Sequence, residues 1–295
     1  MKVPKLSTLE KVFNYQNFND LLTPLKAFDK LNKLENLYAK VSILDLNFSE
    51  FIAILLATPL WQQLAFKAPD FSELCLDFSY EVDSLYKDLP FEPSYHSRKH
   101  FIEVCLSTHL LVLQNDSVQT HADKSWFLSP DQCWYLLLSA MAHDVGHLGQ
   151  SNQTPYEQEM LAFGHLERFL NSKSFENKIT CQQYIKQIIL ATEPSDRNVL
   201  ISRVKSNEVL SPQDKLAMLM VEADLLASVL PIKGVELGRK LSDEIMPHDK
   251  VLANIIKSSE GRLGFLKSVA FLSAQSNLLG LDQILKTAIF EIRPE

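Results

Sequence analysis

The chain holds only eight glycines in 295 residues, and none of them precedes residue 146. Hairpins and sandwiches turn through positive-φ positions that glycine fills most readily, so the first half of this chain lacks the punctuation an all-β fold needs. Helices remain, and the start signals agree. Ser129-Pro130-Asp131-Gln132, Thr154-Pro155-Tyr156-Glu157 and Ser211-Pro212-Gln213-Asp214 each place a hydroxyl cap, a proline at the first helical position, and an acid or amide three residues after the cap. Asp70-Phe71-Ser72-Glu73 is a capping box without the proline. Between such signals apolar residues recur at helical spacing, as in Leu74, Leu76, Phe78, Val82, Leu85 and Leu89, or Ile185, Ile188, Ile189 and Thr192. At the usual helix length this predicts about 12 to 15 helices, with 115–129, 194–210 and 246–250 as connections. Segment 134–142, WYLLLSAMA, is apolar on every side, which predicts a helix buried all round.

Composition narrows the function. The net charge is −7 and the pI near 5.7, and no basic stripe is present, so binding to a nucleic-acid polymer or an anionic membrane is not expected. The start has no apolar core of a signal peptide, and the most hydrophobic stretch, 51–66, is broken by Pro59, Gln62 and Gln63. Cys75, Cys105, Cys133 and Cys181 form no CxxC pair, which excludes a thiolate zinc knuckle and suits a reducing compartment. A cytoplasmic location is expected. The simplest division is an N-terminal helical extension over 1–44 and one all-helical domain over 45–295.

The histidines concentrate where chemistry would. Tyr95-His96-Ser97-Arg98-Lys99-His100 and His143-Asp144-Val145-Gly146-His147 each hold two histidines four residues apart, on one face if those segments are helical. Imidazole with carboxylate suits zinc, manganese or iron, and the adjacent His143-Asp144 can give both to one ion or let the carboxylate bridge two. Asp224 lies in the apolar run KLAMLMVEADLLASVL, where an acid is costly unless paired or bound to a cation. His109, His121 and His248 stand alone and read as surface or satisfied core residues.

These runs resemble the catalytic domain of the 3′,5′-cyclic nucleotide phosphodiesterases, within the HD metal-dependent phosphohydrolase superfamily. The matching segments are YHSRKHFIEVCLSTH at 95–109, HDVGHLGQSNQ at 143–153, ATEPS at 191–195, EAD at 222–224 and GRLGFL at 261–266. The resemblance implies a compact all-α multi-helix bundle over about residues 45–275. It implies two divalent cations, with His100, His143, Asp144 and Asp224 as ligands of a tightly held zinc and Asp144 bridging to magnesium or manganese. The attacking species would be a hydroxide bridging the two ions. His96 matches the general acid, His147 a histidine near that hydroxide, and Thr192 a residue that holds a water. Tyr95, Arg262 and Phe265 fall on the substrate side, Phe265 matching an aromatic that packs on a purine.

Departures from the family pattern are equally specific. Its glutamate three residues before a histidine falls on Ala162, before His165, with Glu159 one turn earlier as a substitute. Gly146 replaces an aspartate, Glu193 an aspartate, and Val221 a histidine. Arg262 stands where a glutamine reads the purine edge; it can face guanine or a second phosphate, point to solvent, or pair with Glu260. Ala227 takes a position where some members carry asparagine. The resemblance therefore implies a metal-dependent cyclic nucleotide phosphodiesterase acting on cAMP or cGMP, with two alternatives: the same chemistry on another phosphate ester, or a binding module that has lost catalysis.

Overall fold

A computed structural model describes residues 27–292, apart from 121, 122, 148 and 151. Residues 1–26 of the expected extension, and His121, lie outside the described residues. The described chain is all-α, with sixteen α-helices and one 3-10 turn at Lys124–Trp126. In order the helices are α1 (Ala27–Ile43), α2 (Phe48–Leu56), α3 (Pro59–Lys67), α4 (Asp70–Lys87), α5 (Arg98–Leu113), α6 (Asn115–Thr120), α7 (Pro130–Ala142) and α8 (Glu157–Asn171). They continue with α9 (Lys178–Leu190), α10 (Pro194–Lys205), α11 (Pro212–Val229), α12 (Lys233–Ile245), α13 (Lys250–Lys257), α14 (Ser259–Ser268), α15 (Ala274–Leu279) and α16 (Leu281–Glu291). The number exceeds the sequence expectation because short helices follow one another across single residues, α13 and α14 across Ser258, α15 and α16 across Gly280.

Three helices pack on one another at the centre: α5, α7 and α11. Helix α7 is buried on every side from Cys133 to Ala142, as the unbroken apolar run requires. Helix α5 is buried from His100 to Val112 and α11 over most of its length. Polar residues on such helices need partners, and these three helices deliver the site. Helix α1 buries Leu31, Leu34, Leu37, Tyr38 and Val41 in the same core, where the Tyr38 hydroxyl meets Ser107 Oγ of α5 at 2.7 Å.

Local signals met different fates. Ser129 and Ser211 form full capping boxes, with Gln132 and Asp214 reaching back. Thr154-Pro155 caps nothing: α8 begins at Glu157, after Tyr156 in the left-handed region at φ 66°. Asn152 reorganises that start, because its Oδ1 accepts the Gln158 N–H and its amide donates to Glu159. Asp70 is the first helical residue of α4 instead of its cap, since α3 ends at Lys67 and Pro69 takes the cap position. The connection expected over 194–210 holds α10, whose start Glu193 caps by accepting from the Ser195 and Asp196 amides. The connection expected over 115–129 likewise holds α6 and the 3-10 turn. No helix among the described residues is long and apolar enough to cross a membrane, and all four cysteines are free and buried.

Candidate metal centre

Each central helix contributes to one cluster. His100 lies in the first turn of α5, His143 is the C-cap of α7 with Asp144 next to it, and Asp224 sits in the last third of α11. His143 Nε2 is 3.0 Å from Asp144 Oδ2 and 3.6 Å from Asp224 Oδ1. His100 Nε2 is 3.4 Å and 3.3 Å from the same two oxygens, and the two Nε2 atoms are 3.3 Å apart. His143 Nδ1 donates to the Ala140 carbonyl at 3.0 Å, which places a proton on Nδ1 and turns Nε2 toward the two carboxylates. Both imidazoles are almost fully buried, while Asp144 and Asp224 keep 18% and 23% of their side-chain surface. The cluster is thus open on its carboxylate side.

The electrostatics suit a cation. Burial disfavours a charge on His100, yet Asp144 and Asp224 outweigh it and hold the imidazolium up to about 9. His143 is likewise raised well above its ordinary value, against burial, by Asp144 and then Asp224. Both carboxyls are held well below the usual range against burial, Asp144 by His143, His96 and His100 and Asp224 by His100 and His143. Two imidazoles and two carboxylates thus draw positive charge to one point. Two imidazole nitrogens and two carboxylates are a donor set for zinc, manganese or iron, so the residues fit the tighter of the two expected ions.

A second group surrounds the first. His96 Nε2 lies 3.9 Å from Asp144 Oδ2, and its Nδ1 contacts Glu244 Oε1 of α12. The other Glu244 oxygen accepts the backbone N–H groups of Tyr95 at 2.6 Å and His96 at 3.1 Å. The His147 ring stacks on His96 with centroids 3.6 Å apart, and its Nδ1 accepts the Gly149 N–H at 3.0 Å. Burial, then the neighbouring His96, lowers His147 to about 4, so it is neutral at pH 7. His96, His147 and Glu244 are close enough to hold an ion, but the Glu244 oxygens are already spent on three donors and the His147 nitrogen on one. Glu244 has no motif in sequence; only its 148-residue reach to His96 reveals it.

The remaining expected residues are arranged as follows. Tyr95 tilts over His100 with ring centroids 4.6 Å apart, and its hydroxyl is 3.4 Å from Ser228 Oγ. His165 lies so close to Gly146 that a Cβ there would sit 2.8 Å from its Nε2. Gly146 has φ +86°, a conformation glycine adopts without strain. Glu159 is nearly buried and tied to Asn152 at 2.9 Å; burial raises its pKa, and the charge of Asp144 adds to the effect. Ala162 is fully buried in the apolar core. Thr192 donates its hydroxyl to the Ile189 carbonyl at 2.7 Å.

Arg262 neither points freely to solvent nor pairs with Glu260. Its guanidinium donates to the carbonyls of Ser228 at 2.6 Å and Leu230 at 2.9 Å, where α11 ends. Burial lowers it to about 10, opposed by Glu35, and it lies 5.9 Å from the centroid of the Phe265 ring. Of the lone histidines, His109 is a satisfied core residue that accepts the Trp61 indole N–H at 3.0 Å, and His248 is exposed.

An all-helical bundle whose three central helices converge on a histidine and aspartate cluster defines the class. No family profile matches the sequence, and no curated protein does. Among solved structures the chain is similar to LmjPDEB1 in complex with IBMX, with a TM-score of 0.65 and 15% identity over 87% of this chain and 88% of that one. It is similar to the phosphodiesterase domain of the RhoPDE fusion protein from the choanoflagellate Salpingoeca rosetta, with a TM-score of 0.60 and 16% identity over 84% and 90%. The phosphodiesterase domain of Salpingoeca rosetta rhodopsin phosphodiesterase gives 0.57 and 16% over 83% and 88%. The chain has the all-α fold of these phosphodiesterase domains.

Proposed function

We propose that the chain is a metal-dependent phosphodiesterase that opens 3′,5′-cyclic nucleotides, cAMP or cGMP, to their 5′-monophosphates. The observation that carries this reading is the convergence of His100, His143, Asp144 and Asp224 from three buried helices onto one point. Two divalent cations, zinc in the tighter position and magnesium or manganese in the second, would supply an attacking water acidified to near neutrality and positive charge for the phosphate oxygens. The protein's own residues do the rest. His100, His143, Asp144 and Asp224 would hold the tighter ion; Asp144 would also serve the second, with Glu159, whose carboxyl feels the Asp144 charge, as a further acid.

His96 is the proton donor to the leaving 3′ oxygen. Its Nδ1 is held by Glu244, which keeps Nε2 facing the open carboxylate side. His147, neutral and stacked against it, fixes the ring plane. Tyr95 and Phe265 supply the apolar surface for the rest of the substrate.

A second reading, the same chemistry on another phosphate ester, is favoured by Arg262. With its guanidinium spent on two carbonyls, the position offers no amide that both donates and accepts. The test is turnover of cAMP, cGMP and an aryl phosphodiester by metal-stripped protein with zinc, manganese or magnesium restored. Metal-dependent opening of a cyclic nucleotide is expected. Activity on the aryl ester alone would transfer the proposal to the second reading, and inactivity with every metal would leave a binding module.

A further inference from the structure

Two buried polar atoms beside the metal centre have no hydrogen-bond partner among the described residues: Nδ1 of His100 and Oε2 of Glu103. Both residues lie on α5, three positions apart and therefore on neighbouring faces of successive turns, and each is 3% exposed. The other Glu103 oxygen receives Lys233 Nζ at 2.6 Å, in an ion pair whose side chains are each 4% exposed. Lys233 also reaches Ser42 Oγ and Glu236 Oε2, both at 3.2 Å. The ammonium thus claims one Glu103 oxygen and leaves the second with lone pairs to offer.

His100 has the complementary need. Its Nε2 faces His143, Asp224 and Asp144, and a neutral imidazole that gives Nε2 to a cation carries its proton on Nδ1. A buried N–H without an acceptor is costly. The other acceptor on α5 that lacks a partner, Thr108 Oγ1, lies two turns beyond His100. No direct bond joins His100 to Glu103, so a link between them needs a bridging group, and a buried water bonds to two or more polar groups.

We propose that Glu103 is a positioning residue for His100: its second oxygen accepts the Nδ1 proton through one buried water, and Lys233 anchors the carboxylate. This rests on the reading of His100 as a metal ligand. Such a partner fixes the tautomer and orientation of the ring and raises the basicity of the coordinating nitrogen, and its loss typically lowers metal affinity 10–100-fold.

Removing Glu103 alone would strand a buried ammonium, so the test replaces both members of the pair. Zinc affinity is measured on the metal-stripped full chain by competition with a chromophoric chelator. Glu103→Leu with Lys233→Met should bind zinc about 10–100-fold more weakly and shift the visible spectrum of the cobalt-loaded protein. Glu103→Gln with Lys233→Met, which keeps an acceptor oxygen, should recover most of the affinity. Equal affinity in the Leu and wild-type chains, or equal losses in the Leu and Gln chains, would overturn the proposal. Histidine side-chain NMR of the zinc-loaded wild type gives a reading that needs no variant: a His100 proton on Nδ1 protected from exchange is expected, and coordination through Nδ1 overturns the proposal. A wild-type chain that binds no zinc would remove the metal reading itself, and this assignment with it.

Discussion

At the scale of single residues, function depends on what each buried polar group is bonded to. Glu244 binds the ring and the backbone of His96 at once, so its role is orientation. Glu244→Gln should lower kcat with bound metal retained, and by less than His96→Ala, for which a loss of about 10²–10⁴-fold is expected; turnover and metal content read together check this. The clustered residues are legible in sequence because the runs at 95–109 and 143–153 and the acid at 224 match a family pattern; their four-residue spacing is not what joins them, since His96 precedes α5 and His147 follows α7. Glu244 is not, because an acid in the run SDEI looks like any solvated helix face. His109 supplies a prediction with a definite sign. Burial depresses it to about 3 against an ordinary value of 6.5, so the folded protein keeps it neutral while the unfolded chain takes a proton. Its contribution is fully favourable above about pH 6.5 and is lost at about 1.4 kcal/mol per unit as the pH falls toward 3. His109→Gln, which can still accept from Trp61, should flatten the slope of stability between pH 7 and 5 in urea unfolding. An unchanged slope would contradict the assignment.

Among the elements, α11 has both ends secured and the site between them. Ser211 caps its start, and Arg262 of α14 plugs its end through the Ser228 and Leu230 carbonyls. Helix α12 begins so close behind that a Cβ on Gly234 would fall 2.2 Å from the Ser228 carbonyl oxygen and 2.4 Å from Arg262 Nη2. Gly234→Ala should therefore cost about 1–3 kcal/mol through overpacking. Arg262→Gln should cost about 1–3 kcal/mol through carbonyls left without their charged donor. Both are read from urea midpoints. Sequence can place Arg262 against a family pattern, but its target is a backbone made available only where α11 stops. The displaced start of α8 has the same origin: Thr154-Pro155 is a sound local signal, overridden by a loop that Asn152 folds onto the helix. Helix α10 has almost no apolar period to read, because only Leu200 and Ile201 of its residues are buried.

Over the whole molecule, the scarcity of glycine and the apolar run at 134–142 already imply helices around a fully buried centre, and α5, α7 and α11 form it. What sequence pattern does not carry is how distant segments are tied to that centre, since such ties are made by single side chains. Glu222, two residues before Asp224, accepts from the Leu272 and Ser273 amides and from the hydroxyls of Ser273 and Ser276, fixing the entry to α15. Glu35 of α1 accepts the Ile232 and Lys233 amides at 2.7 and 3.1 Å, fixing the start of the helix that carries Glu244. We propose that this scaffold brings four side chains together to hold a catalytic cation. Bound metal and phosphodiester turnover, measured in parallel on the wild-type chain and on Asp144→Ala, decide whether it does. The substitution is expected to abolish both together; turnover that persists after the metal is gone would contradict the claim.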